Sequence, residues 1–360
     1  MTNNMSWSFF QVWNESLEQR EERPIKTRNN LWASELGKSD VDLYLKMKGV
    51  KPSNPFDARS LRKFEAGNIW EWIVGLVLKR AGVLMDTQEW VSHQYPGLLE
   101  VTGKLDYLAG GSPDWEKAQF EIHELGLPET LEKASERIIS HFYETYPQGL
   151  KPIVLEIKSC AGTMFDRYSN SNQASANHRL QAFHYIKAKD MPEAHIVYIS
   201  KDDCRMLEIG VMNPSAVESE YKNTIGNITE YIKRGDGVDL QSASPLTIKT
   251  HLNDIGMKIA PEIEFSEDFG KFSLSWQVKY SGYLTLLYGY ENQAHFDNEW
   301  KKEVTSWNRV LGRIVRGDKM TDKNLEIISR IKSRFSDFDE VVQKVKSSGV
   351  IPEESEDENA

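Results

Sequence analysis

Apolar and polar positions alternate most clearly in PIVLEIKS (152–159), where an extended chain places Ile153, Leu155 and Ile157 on one side and Val154, Glu156 and Lys158 on the other. VTGKLDYLA (101–109) alternates too, with Lys104 and Asp106 on one face and Leu105 and Tyr107 on the other, and reads as a half-buried strand. The period lengthens to that of a helix in SANHRLQAFHYIKAKD (175–190), where Gln181 and Tyr185 share a face one turn beyond His178. SLRKFEAGNIWEWIVGLVLKRAG (60–82) reads as a strongly apolar helix with Gly67, Glu71 and Gly75 on one stripe. Around these lie candidate helices at 6–22, 39–49 and 215–234, strands near 195–212, and a helix-like acidic insert at about 111–150. A polar, linker-like stretch at 235–246 precedes an aromatic-rich region that ends in helices.

This pattern predicts an α/β chain with an N-terminal helical segment (1–60), a core (61–235), a C-terminal extension (236–350) and an acidic, disordered tail (351–360). The chemistry sits in the core. Glu156 and Lys158 put an anion and a cation side by side on one strand face, and both are costly to bury unless paired or bound. A divalent cation with a phosphate beside it satisfies both. Standing alone, an E-x-K triplet is short, and its plain reading is a strand end open to water. Asp106 strengthens the case, because alternation lets it point where Glu156 points. Each glycine within a helix is unfavourable by roughly 1 kcal/mol relative to Ala, so Gly67 and Gly75 around Glu71 imply that a ligand or another chain segment comes close.

In order, Gly67-xxx-Glu71, Gly103-xx-Asp106, Glu156-x-Lys158 and Gln181-xxx-Tyr185 resemble the motif series of the PD-(D/E)XK nucleases, in particular the RecB-like and lambda-type phage exonuclease group. Segments 31–49, 195–211 and 276–289 resemble flanking parts of these proteins, so the resemblance spans roughly residues 30 to 290. It implies a restriction-endonuclease-like core with a mixed central β-sheet flanked by helices, and a metal-dependent DNA exonuclease acting in phage or mobile-element recombination and repair. The nearest alternatives are an endonuclease of the same superfamily and a non-catalytic subunit that binds or assembles on DNA ends. Lambda-type relatives form rings around DNA, so a homo-oligomer or a recombination partner protein is a further expectation. By the same resemblance Asp106 and Glu156 are the principal Mg2+ or Mn2+ ligands, joined by Glu71 and the Ile157 carbonyl, and hard oxygen donors suit those ions. Lys158 is the expected catalytic residue, as general base or as electrostatic stabiliser. Gln181 and Tyr185 would position the substrate backbone or Lys158. His178 and Arg179 are candidate phosphate contacts, and His178 reads equally as a solvated helix residue.

The chain departs from the family in two respects. Several relatives carry four cysteines around an iron-sulfur cluster, whereas this sequence has only Cys160 and Cys204, too few for such a cluster within one chain. About fifty residues also separate Asp106 from Glu156, far more than the short turn usual in the family.

Two cysteines exclude a disulfide framework and fit a reducing compartment, and no signal peptide or membrane-length apolar run is present, so a cytoplasmic protein away from membranes is expected. A net charge of -10 argues against a protein that coats nucleic acid by bulk electrostatics. Positive charge is local: Arg309, Arg313 and Arg316 fall at i, i+4 and i+7 of one helical face, which reads either as a phosphate-tracking surface or as a solvated face. If the face tracks phosphate, reversing all three charges will weaken DNA binding and flatten its dependence on salt; unchanged affinity and slope in a salt titration would leave the solvated reading.

Overall fold

The computed structural model describes residues 8–18, 26–54, 56–111, 120, 122–124, 126–212, 215–266 and 270–348. They form two compact units, one built from the described residues of 1–50 and 56–241, the other from those of 51–55 and 242–360. The acidic tail and part of the 111–150 insert lie outside the described residues.

The first unit is mixed α/β, with sheets flanked by helices. In chain order it contains α1 (Phe9–Glu18), β1 (Asn30–Trp32), a 3-10 turn (Ala33–Glu35), α2 (Asp40–Met47), α3 (Ala58–Arg80), β2 (Leu84–Thr87), β3 (Trp90–His93), β4 (Glu100–Lys104) and β5 (Tyr107–Gly111). It continues through α4 (Glu129–Thr145), β6 (Leu150–Cys160), α5 (Gly162–Ser171), α6 (Ala176–Lys189), β7 (Glu193–Ser200), β8 (Met206–Met212) and α7 (Ser215–Arg234). Five strands form a sheet in the order β2-β5-β6-β7-β8, in which only the β6–β7 pair is parallel; a smaller sheet has the order β1-β4-β3.

Strand β6 is the spine of the larger sheet, and its period of two sorts the core. Leu155 and Ile157 join Tyr107, Ala109, Val197 and Ile199 against Trp70, Val74 and Leu78 of α3. Val154 joins Ile196 and Tyr198 against Phe165 of α5 and Leu180, Phe183 and Ile186 of α6. Burying a side chain such as Leu155 or Ile157 contributes roughly 1.5–3 kcal/mol. Glu156 and Lys158 share the parity of Val154 and therefore lie on the α6 side. Leu31, Ala33, Leu36, Leu43 and Met47 belong to that same core, so the segment before α3 is part of the fold rather than an appendage.

Helix α3 begins where the Asp57 carboxylate accepts the Ser60 N–H at 2.8 Å. It ends at Arg80, which is buried and donates to Ser135 Oγ and to the Leu131 carbonyl of α4, tying the insert helix to the core. Gly75 sits where a Cβ would come within 2.3 Å of the Tyr107 hydroxyl, and that hydroxyl donates to the Glu71 carbonyl at 2.8 Å. The glycine thus lets the sheet approach the helix, and the close neighbour is a tyrosine.

One expected strand becomes two. The alternating stretch 101–109 is not continuous: β4 ends at Lys104 in the small sheet and β5 begins at Tyr107 in the large one, with Asp106 at the bend between them. The antiparallel partner breaks at the same level, since Gln88, between β2 and β3, is left-handed with φ 56°. Gln88 N–H donates to the Asp106 carbonyl and Leu105 N–H to the Glu89 carbonyl, so the ribbon folds across both strands at once. Asp106 consequently points by virtue of the bend and not by strand alternation. The pattern also left β1, β2, β3 and α5 unmarked, the three strands because they are only three or four residues long.

The second unit contains α8 (Pro245–Asp254), a β9–β10 hairpin (Ile263–Ser266 and Lys271–Leu274), α9 (Trp276–Lys279), α10 (Leu284–Tyr288), α11 (Gln293–Arg316), α12 (Asp322–Arg334) and α13 (Phe338–Ser348). Its aromatic core gathers Phe272, Phe296, Trp307 and Phe338. Asn308 of α11 clamps the hairpin, accepting the Phe272 N–H at 2.7 Å and donating to its carbonyl at 2.9 Å.

The Gly75 contact gives a paired stability test. Gly75→Ala should destabilise the protein by about 1–3 kcal/mol through overpacking against Tyr107. Gly226→Ala, on α7 with nothing within 4 Å of the added Cβ, should stabilise it by up to about 1 kcal/mol. Urea denaturation midpoints moving in opposite directions would bear this out, and a neutral Gly75→Ala would contradict it.

Candidate active site

Strands of both sheets and helices α3 and α6 converge on a cavity of about 310 Å³ lined by Trp32, Ser34, Glu71, Trp90, Gly103, Lys104, Asp106, Glu156, Ile157, Lys158, Gln181 and Tyr185. Strand β6 supplies its floor. Glu156 is only 1% exposed; one carboxylate oxygen accepts from the Lys158 ammonium, and the other, Oε2, is buried without a hydrogen-bond partner. Lys158 keeps 23% of its side chain exposed, so its charge reaches the cavity.

Asp106 closes the ladder where β5 stops. The last β5–β6 pair is Tyr107 with Leu155, and beyond it the Asp106 Oδ2 accepts the Ile157 N–H at 2.7 Å in place of a strand neighbour. In a strand the N–H and C=O of one residue address the same edge, so the Ile157 carbonyl lies on the Asp106 side. Glu71 reaches the cavity from α3 and accepts from the Gln88 side chain. Gln88 was not legible as a site residue, because a left-handed glutamine carries no sequence signal.

Gln181 and Tyr185 of α6 are buried and hold each other: the Gln181 amide donates to the Tyr185 hydroxyl at 3.0 Å, and that hydroxyl donates to the Lys104 carbonyl at 3.0 Å. Gly103 permits this, since a Cβ there would stand 2.7 Å from the Tyr185 ring and 2.8 Å from Ala33 Cβ. The pair therefore fixes the end of β4 beside Asp106. His178 Nδ1 is 2.9 Å from the Tyr198 hydroxyl, and burial followed by the nearby Lys158 charge pushes its pKa down to about 3, leaving it neutral at pH 7. Arg179 is paired with Glu220 at 2.8 Å. Arg309, Arg313 and Arg316 lie on α11 of the second unit, where Arg316 Nε donates to Asp318 at 3.0 Å.

Three carboxylates and one ammonium in a poorly hydrated space cannot all ionise freely. Burial, then the Asp106 charge, pushes Glu156 up to about 8. The same two causes bring Glu71 to about 7. Burial raises Asp106 against the opposing pull of Lys158 and the Ile157 N–H. Burial alone would lower Lys158, but Glu156 and Asp106 override it and hold the ammonium above its usual range.

Among the described residues no group of three His, Cys, Asp or Glu side chains is arranged to hold a metal ion as it stands. Asp106 is turned onto a backbone N–H, Glu156 onto Lys158 and Glu71 onto Gln88. The donor chemistry nevertheless fits a hard divalent cation: carboxylate oxygens predominate, one is buried without a partner, and burial followed by the neighbouring Asp106 charge disfavours ionisation of Glu156, a penalty that a cation would relieve.

No protein-family model and no curated protein matches the chain. Among solved structures it is similar to the crystal structure of SSO0001, with 14% identity and a TM-score of 0.36 over 62% of this chain and 87% of that one. It is also similar to an alkaline exonuclease from Laribacter hongkongensis, with 11% identity and a TM-score of 0.29 over 62% of this chain and 96% of that one. At such scores the geometry of the cavity, rather than the likeness, has to carry a functional reading.

The raised carboxyls make stability depend on pH. Below the unfolded value of 4.5 both states hold the Glu156 proton; between there and about 8 the unfolded chain ionises first, so this contribution to stability is lost as pH rises. The raised Lys158 titrates above that window and does not offset the loss. In EDTA the wild type should therefore lose several degrees of melting temperature relative to Glu156→Gln between about pH 5 and pH 8.5, and Mn2+ should stabilise the wild type more at the higher pH. Parallel pH profiles for the two proteins would contradict it.

Proposed function

We propose that the chain is a Mg2+- or Mn2+-dependent deoxyribonuclease of the PD-(D/E)XK type, acting as an exonuclease. The observation that carries this reading is the buried Glu156 with one oxygen on Lys158 and the other unpartnered, beside an Asp106 fixed by the Ile157 N–H. Asp106 and Glu156, with the Ile157 carbonyl and Glu71, are the residues that would hold the cation. When bound, such an ion lowers the pKa of a coordinated water and neutralises charge on phosphoryl oxygens.

The protein's own groups do the rest. Without a cation, Glu156 and Asp106 hold the Lys158 ammonium above its usual range; a metal ion on those same carboxylates would withdraw that support and favour the neutral amine, so Lys158 is placed to serve either as a positive charge beside the phosphate or as a general base. Asp106 cannot swing away without leaving the Ile157 N–H unsatisfied. Tyr185 and Gln181 hold the backbone of Lys104, and with it the bend that aims Asp106. Residues 8–348 include no described helix long and apolar enough to cross a membrane, and DNA is the expected partner. A role in phage or mobile-element recombination and assembly into an oligomer rest on the sequence resemblance alone, and a cytoplasmic location on the composition of the sequence.

Incubating the protein and its Lys158→Ala variant with matched linear and closed-circular DNA, in Mg2+, Mn2+ or EDTA, tests the reading. Only the linear form should be lost, only with metal, and the variant should be slower by about a hundredfold or more. Cutting of the circle would make the enzyme an endonuclease, and no cleavage of either form would sink the nuclease reading.

A further inference from the structure

Two tryptophans at the rim of the cavity have no part in the chemistry proposed above. Trp32 ends β1 and is 42% exposed; Trp90 begins β3 and is 64% exposed. Their strands flank β4 on opposite sides, with Trp32 paired to Thr102 and Trp90 paired to Lys104. Laterally paired residues project from the same face of a sheet, as do residues two apart on one strand. Both indoles therefore stand on one face with Thr102 and Lys104 between them. The opposite face carries Leu31, Val91 and Val101, all buried in the core. Neither tryptophan is needed there.

The spacing of strands sets the indoles about 10 Å apart across the sheet and about 7 Å apart along it. Both line the same cavity as Glu156 and Lys158. The Trp32 ring is steadied by two cations, with the Arg28 guanidinium carbon 4.8 Å and the Lys46 Nζ 5.6 Å from its centroid. Exposed rings interleaved with Lys104, continuous with a cavity that holds Lys158, match the chemistry of a nucleic-acid strand: flat bases for the indoles and phosphates for the ammonium groups. A paired base inside a duplex has both of its faces covered by its neighbours, so only an unpaired base can lie on an indole. The cavity, about 310 Å³, is also at the lower end of small-ligand pockets.

We propose that Trp32 and Trp90 form a base-stacking platform that leads single-stranded DNA, or the unpaired end of a duplex, into the Glu156–Lys158 cavity. The proposal rests on the nuclease reading for what happens in the cavity, but the binding step does not.

The test is fluorescence anisotropy with the full chain in EDTA, using a labelled single-stranded oligonucleotide, its blunt duplex and an RNA of the same sequence. Wild type should prefer the DNA single strand. Trp32→Ala and Trp90→Ala should each weaken single-strand binding by about fivefold or more while changing duplex binding much less, and Trp32→Phe and Trp90→Phe should retain most of the affinity. Circular dichroism identifies any alanine variant that fails to fold, and the phenylalanine variants then carry the comparison against the aliphatic Trp32→Leu and Trp90→Leu. Unchanged single-strand affinity, equal loss on single strand and duplex, or tighter binding of the RNA would each overturn the platform. Cleavage that needs Lys158 but ignores both tryptophans would sink the platform and leave the nuclease. Tryptophan-dependent binding of single strands without metal-dependent cleavage would do the reverse.

Discussion

A carboxylate almost wholly removed from water, with one oxygen on an ammonium and the other on nothing, is the constraint around which the first unit is organised. Burying Glu156 is unfavourable by itself, and breaking a buried ion pair by removing one partner typically costs about 3–5 kcal/mol. The surrounding structure must therefore hold Lys158 in place and keep the remaining oxygen facing something able to use it. The apolar side of β6 meets the first need, because Leu155 and Ile157 lock the strand against α3 and so fix the parity of their neighbours. The bend at Asp106 meets the second, ending β5 early enough to open the edge of β6 at Ile157.

Much of this was legible in the chain. The period of two in 152–159 assigns Glu156 and Lys158 to one face without any knowledge of the sheet, and of the two glycines flanking Glu71 one marks a real close approach: Gly75 does, whereas a Cβ at Gly67 would meet only Ser159 Oγ at 3.5 Å, an ordinary contact. The partners were not legible. Gly75 makes room for Tyr107 and Gly103 for Tyr185 and Ala33, contacts set by tertiary packing rather than by local sequence. The expected strand through 101–109 is interrupted at Leu105 and Asp106 although its own alternation is continuous; the break coincides with Gln88, between β2 and β3, in a conformation that glutamine seldom adopts. Reach across strands is invisible to a pattern read along one.

The same limitation explains why Trp32 and Trp90 went unmarked. Far apart in sequence order, they meet no common motif, and each alone is an exposed aromatic of the kind that needs no explanation. Only the register of β1 and β3 on β4 puts them on one face, with Lys104 between. Their placement depends on the bend as much as Asp106 does: there the chain passes from β4 of the small sheet to β5 of the large one, and the face of β4 that carries Lys104 lines the cavity.

An acidic chain faces a difficulty with DNA that this arrangement eases. With a net charge of -10, long-range attraction to a polyanion is weak or unfavourable, and the counterion release that drives most nucleic-acid binding is limited to a few local cations. Stacking does not depend on net charge. It contributes about 1–3 kcal/mol per base, and it acts at short range where the cavity is. Rings at the rim hold the strand by its bases, and leave the phosphate to Lys158 once the strand is already in place.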